Sequence, residues 1–383
     1  MGGGASTNDT NALYSYDYTI LPPVAFSKGI KPSDYPSVEW VIKVFHVHVK
    51  IAGNAKIVDI INSIQKEDHS FGQFLHEIYD SKFLLHLGET KKESLVDAPL
   101  LSKEVTSIDQ YKEIFNDKTC ILPACADFFD DDAYFAFMRL GGFNPVMIER
   151  VTSTLPNTFK LTQEIFQKAP GFENDQLTDA IADGRLYITD YKSLEIMKPG
   201  DKPVPKAVFC PIGLFGVPKE GKTLLPIAVQ SHQTPDSIIA TPVDGEMWQK
   251  MRHVFNCAEA NMHQLVTHFS RTHLLLEPFV VAVGNLPEDH PIKRILHPHL
   301  EGTAFINFMA VKTLVSPGGG VEELLMGTLT SDLELAAHWL QTPGFNGLML
   351  RSFLAARGTL TAPIDYPYRD DALKLWDATH CWM

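Results

Sequence analysis

Three histidines recur every five residues in the segment NMHQLVTHFSRTHLLLEPF, as His263, His268 and His273. A neutral imidazole offers a metal ion a nitrogen lone pair, and it suits zinc, copper, nickel and iron alike. In a regular helix five residues advance about 500°, which turns His263 and His268 roughly 140° apart. Rings that divergent cannot hold one ion. A helix bonded i→i+5 brings them nearly into line, and such π-turns are uncommon and concentrate at functional sites. The spacing therefore predicts a π-turn between His263 and His268 if both bind a metal. The competing reading is hydrogen-bonded core histidines. The pattern is not HExxH: Gln264, not a glutamate, follows His263, so the usual general base of a zinc hydrolase is missing.

The elements that must position these rings are legible from periodicity. Apolar residues recur at three and four in MWQKMRHVFNCAEANMHQLVTH, which predicts a helix from about Trp248 into the histidine segment. Further helices are expected at AFINFMAVKTLV, SDLELAAHWLQ and FLAARG. SPGGGVEELL separates the first two as a turn. No strand precedes its glycines, so it is not a dinucleotide fingerprint. Upstream, Asp130–Asp132 are placed to cap the helix AYFAFMRL at its positive end, and Gly141–Gly142 stop it. Ser37 is a helix cap in the same way. RLYITDY, KAVFCPIGLFGVP and LLPIAVQS are short, β-branched and aromatic, and are split by Gly and Pro. They predict an antiparallel meander over about 185–232. His46 and His48, two apart, are read as ordinary side chains.

Composition narrows the class. The 383 residues are 45% hydrophobic and 21% charged, ordinary for a globular chain with a sizeable core. The 33 basic and 46 acidic side chains give a net charge of −13, which repels nucleic acid. Five scattered cysteines argue for a reducing compartment and against a disulfide framework; Cys120 and Cys125 lack the second pair of a zinc knuckle. No apolar run reaches the roughly 18 residues of a membrane helix. A cytoplasmic location is expected. MGGGAS fits a myristoylation pattern at Gly2, which would add weak peripheral membrane contact; a flexible Gly-rich start is the preferred reading.

HQLVTHFSRTHLLLEPFVVA resembles the iron-binding signature of lipoxygenases. HPIKRILHPHLEGTAFIN continues the likeness, as do FAFMRLGGFNPVMI, LYITDY, LLPIAVQ and DYPYRDDALKLWDA, in the family's order over about 130–380. The resemblance implies a mainly α catalytic domain with a small antiparallel β meander. It also implies non-haem iron (Fe) as cofactor, and polyunsaturated fatty acid and O2 as the reacting partners. By this likeness His263 and His268 match two iron ligands. His273 and Glu277 match positions behind that helix, either orienting the ligands or simply packing. A radical intermediate must be shielded, so an apolar channel is implied. Leu265, Leu274, Leu275 and Phe305, with Leu276 and Phe279, are candidates for its wall or for plain core. The small residue that sets the oxygenation face should fall near Ala304 and Phe305.

The sequence departs from the family in places. Val283-Gly284-Asn285 stands where a Thr-x-Arg-like run is usual, and Met262 where an aromatic often precedes the first ligand. Lipoxygenases draw a third histidine, an Asn or His, and a terminal carboxylate from later in the chain. LWDATHCWM matches a helix ahead of those ligands, and His380 lies too early to be the third histidine. The expectation is a disordered 1–15, then an incomplete lipoxygenase-like domain over 16–383 with no separate N-terminal lipid-binding β-barrel and with the remaining ligands outside this chain. Alternatives are a non-catalytic lipid-binding or interaction protein and, on the histidines alone, a zinc hydrolase.

Overall fold

The computed structural model describes residues 16–21, 24–31, 34–40, 124–234, 236–341 and 344–382. The expectations for residues 1–15, His46, His48 and Cys120 lie outside the described residues. The elements described in full are β1 (Tyr16–Leu21), β2 (Val24–Ser27), α1 (Asp132–Gly141), β3 (Glu149–Arg150), α2 (Gln163–Lys168), α3 (Leu177–Ala182), β4 (Leu186–Asp190), β5 (Ile212–Gly216), β6 (Leu225–Gln230) and β7 (Ile239–Ala240). They continue as α4 (Glu246–Met262), a π-helix (His263–Leu274), α5 (Leu275–Gly284), α6 (Pro291–Leu300), α7 (Thr303–Thr313), α8 (Gly320–Leu324), α9 (Leu329–Gln341), α10 (Leu350–Ala356) and α11 (Pro367–Trp382). The class is mainly α with a small antiparallel sheet, as expected. No helix among the described residues is long and apolar enough to cross a membrane.

Two compact units divide the chain: 1–126 with 275–321, and 127–274 with 322–383. In the first, β1 and β2 form a hairpin, α5 packs on α6 and α7, and α7 packs on β2. Trp40 N–H donates to Ser37 Oγ at 3.2 Å, so Ser37 caps the helix that starts at Val38. Gly302, at φ 78°, precedes α7; a Cβ there would be strained by the left-handed backbone and would press on the Trp40 indole.

The second unit is built on a five-stranded antiparallel sheet in the order β3-β4-β5-β6-β7. The meander read from sequence forms its three central strands. The two-residue edge strands β3 and β7 carry no alternation and gave no signal. Both faces of the sheet are covered, so β5 is buried at every position. Leu186, Ile188, Ile212, Leu214 and Ile227 face Phe166, Phe172 and Ala180 from the α2–α3 region. On the other face Phe215 meets Phe135 of α1 and Phe255 of α4, with ring centroids 5.8 and 5.9 Å away. Gly213 sits under Phe255: a Cβ there would lie 2.6 Å from the ring.

α4 buries Trp248, Met251, Phe255, Ala258, Glu259 and Met262, a stripe at helical spacing. Asp131 caps α1, accepting from Tyr134 N–H at 2.7 Å. Asp132 does more than cap. It accepts from the Trp248 indole N–H at 2.7 Å and faces Arg252 at 3.3 Å, tying α1 to the start of α4. SPGGGVEELL is not only a turn, since Gly320–Leu324 closes into the short helix α8.

Candidate metal centre on the π-helix

The histidine segment opens a register wider than an α-helix over twelve residues, His263–Leu274. His263 and His268 then share a face. Their rings are nearly parallel, 13° apart, with centroids 6.0 Å from each other. His273 joins them, its Nε2 lying 2.9 Å from His268 Nε2. Thr272 Oγ1 donates to Thr267 O at 2.9 Å, again five residues back. The segment buries Leu265, Val266, Ser270 and Leu274, and α9 is its packing partner. Ser270 Oγ donates to Ala336 O at 2.7 Å, a buried polar link between the two.

The loop after α1 shapes the first ring. Phe143 meets His263 edge to face at 5.3 Å. Asn144 is buried beside it, and Thr267 Oγ1 lies 3.1 Å from both Asn144 Oδ1 and His263 O, its single proton shared between them.

Partners also set the protonation of these rings. Gln264 Oε1 lies 2.9 Å from His268 Nδ1, so that nitrogen carries the proton. His268 Nε2 is then the lone-pair atom and accepts from His273 Nε2–H. Burial lowers the pKa of His263. Burial, then the neighbouring His273 and His263, lower that of His268. Both shifts favour the neutral ring, the form a metal requires. Two parallel neutral imidazoles fit part of the coordination shell of a divalent ion. Among the described residues no group of three His, Cys, Asp or Glu is gathered as a metal site.

Glu277 belongs to the other unit, where Asn307 of α7 donates to its carboxylate and burial raises its pKa against that bond. The channel candidates divide similarly: Leu265 and Leu274 are buried in one unit, while Leu275, Ala304 and Phe305 belong to the other, the last two buried. Leu275 and Leu276 are half-buried, and Phe279 is exposed. Met262 is fully buried. His380 lies on exposed α11.

One constellation escaped the sequence reading. One turn before His263, Glu259 pairs with Arg139 of α1 at 2.5 Å, both side chains 1% exposed, and accepts from Tyr191 Oη at 3.2 Å. The guanidinium lies between the rings of Phe135 and Phe255, 5.0 and 4.8 Å from their centroids. Burial pushes the Glu259 carboxyl up to about 7, against the pull of Arg139 and Tyr191. The signal was available: a charge in the middle of each of two apolar helix stripes.

The lipoxygenase family model matches residues 36–383. The chain is 35% identical over 291 residues to the linoleate 9/13-lipoxygenase of Pseudomonas aeruginosa, covering 72% of this chain and 42% of that protein. It is 32% identical over 263 residues to the human hydroperoxide isomerase ALOXE3, covering 66% of this chain and 36% of that protein. Among solved structures it is similar to the crystal structure of Delta413-417:GS LOX, with a TM-score of 0.74 and 26% identity, covering 96% of this chain and 51% of that one. The chain thus spans about half, or less, of the length of these relatives.

Proposed function

The chain belongs to the lipoxygenase family, and on that premise we propose that the whole protein is a non-haem iron dioxygenase that adds O2 to a polyunsaturated fatty acid and yields a hydroperoxide. The observation that carries this is the alignment of His263 and His268 on one face of a π-helix, in surroundings that favour the neutral form of both rings. These two residues would hold the iron from this chain. When bound, iron supplies the one-electron oxidising power needed to take a hydrogen atom from a doubly allylic carbon. Phe143 and Thr267 keep His263 in place, and Gln264 fixes the tautomer of His268 so that Nε2 faces the ion. His273 Nε2–H covers the lone pair of His268 Nε2 and would have to yield it to the ion. The buried apolar residues of the segment, Leu265 and Leu274, exclude water.

The test is bound iron measured by elemental analysis together with oxygen uptake on linoleate. Metal binding by this chain is expected to fall to background in His263→Ala and in His268→Ala and to persist in His290→Ala. Metal content unchanged in both of the first two variants would remove the assignment. Oxygen uptake by the full-length protein separates dioxygenation from rearrangement of a preformed hydroperoxide, the chemistry in the name of the human relative. The described cysteines, Cys125, Cys210, Cys257 and Cys381, are free thiols, which supports the reading of a cytoplasmic protein.

A further inference from the structure

Arg271 lies in the π-helix between His268 and His273, yet its side chain goes elsewhere. Its guanidinium stacks over the Trp339 indole of α9, 4.7 Å from the ring centroid, and reaches Phe353 of α10 at 6.0 Å. Most other arginines of this unit face a carboxylate, as Arg139 has Glu259, Arg185 has Asp175, Arg252 has Asp132, Arg357 has Glu149 and Arg369 has Asp370, and Arg150 bonds the carbonyls of Gly184 and Asp183. Among the described residues Arg271 has none, and its buried Nε–H finds no acceptor. The indole N–H of Trp339, the ring it stacks on, is also buried without an acceptor.

Two neighbouring donors and one uncompensated cation lack the same thing, an anionic acceptor. A guanidinium held flat against an aromatic face has already lost its rotamer freedom, so its planar fork is ready for a carboxylate. Its surroundings penalise the charge: burial, then the nearby Arg357, bring the Arg271 pKa down to about 10. A bound anion would relieve that penalty.

We propose that Arg271, with the Trp339 N–H beside it, is the receptor for a carboxylate, and that the carboxylate it takes is the headgroup of a free fatty acid. The choice of ligand rests on the lipoxygenase reading above; the demand for an acceptor does not.

The experiment is calorimetric titration of the chain with linoleate, methyl linoleate and acetate, repeated on Arg271→Gln, Arg271→Lys and Trp339→Phe. Linoleate is expected to bind the unaltered chain roughly tenfold tighter than its ester. Arg271→Gln should erase that preference. Arg271→Lys should keep part of it, retaining charge without the fork. Trp339→Phe preserves the stack and removes only the N–H, so it should weaken linoleate several-fold in a chain that still folds. Equal affinity for acid and ester in the unaltered chain, or a preference that survives Arg271→Gln, overturns the proposal while leaving acyl-chain binding, and so the family reading, intact. Acetate binding as tightly as linoleate overturns the fatty-acid assignment. No binding of either acid or ester removes both the proposal and the substrate class.

Discussion

Removing the Arg139 guanidinium would leave the Glu259 carboxyl buried between α1 and α4 without the cation it faces. Arg139→Met is expected to destabilise the chain by about 3–5 kcal/mol, whereas Arg139→Met with Glu259→Met should recover most of that loss, because neither buried charge then remains. Chemical denaturation of the two variants checks it. The pair matters beyond stability, since Glu259 stands on α4 one turn before His263 and anchors the rotation with which that helix enters the histidine segment. At this scale the sequence was an uneven guide. Type and spacing identified His263, His268 and His273 as residues that meet, because five-residue recurrence is aligned only in a π register. Type and spacing could not say that Glu277 binds Asn307, nor that Arg139 reaches Glu259, since each depends on which helices become neighbours.

The elements were more legible than their contacts. α4, α7, α9 and α10 follow the predicted stripes, and the central strands β4, β5 and β6 follow the β-branched runs. The edge strands and the six-residue helices α2 and α3 are too short to establish a period, and tertiary packing decides them. Two substitutions test how these elements are seated. Gly213→Ala should cost about 1–3 kcal/mol, because the added methyl strikes the Phe255 ring where α4 lies on the sheet. Ser270→Ala removes the bond from the π-helix to Ala336 O and should cost about 1 kcal/mol. Thermal or denaturant unfolding reads both. If the second is silent, α9 is not what holds the π segment in place.

For the molecule as a whole, two sets of groups pull the pH dependence of stability in opposite directions. Burial raises Glu259 and Asp332 to about 7 each from ordinary values of 4.5 and 3.8. The stability they contribute is complete below their unfolded values and is lost as pH rises through about 7. His263 and His268 are lowered from 6.5, so their contribution is complete above 6.5 and is lost as pH falls through their folded values. The two trends oppose each other below 6.5, and above it only the decline from the carboxyls remains. Asp332, fully buried with neither carboxylate oxygen hydrogen-bonded among the described residues, dominates the decline toward neutrality. Asp332→Asn should flatten that limb by a few kcal/mol, measured as midpoints of denaturation from pH 4 to 8. An unchanged slope would mean Asp332 is already ionised in the fold. The two-unit organisation was not visible in composition, because no linker-like stretch marks the boundary near 274 and the SPGGG beside 321 reads equally as a turn between helices.

The bond between His273 and His268 has a consequence for how an ion would arrive. The lone pair that a cation needs is already engaged by a neighbour's proton. Loading is then an exchange of one Lewis acid for another, slowed by the time His273 takes to swing aside. His273→Phe should capture Co2+ faster in a stopped-flow experiment, since no neighbour's proton then has to leave the lone pair first.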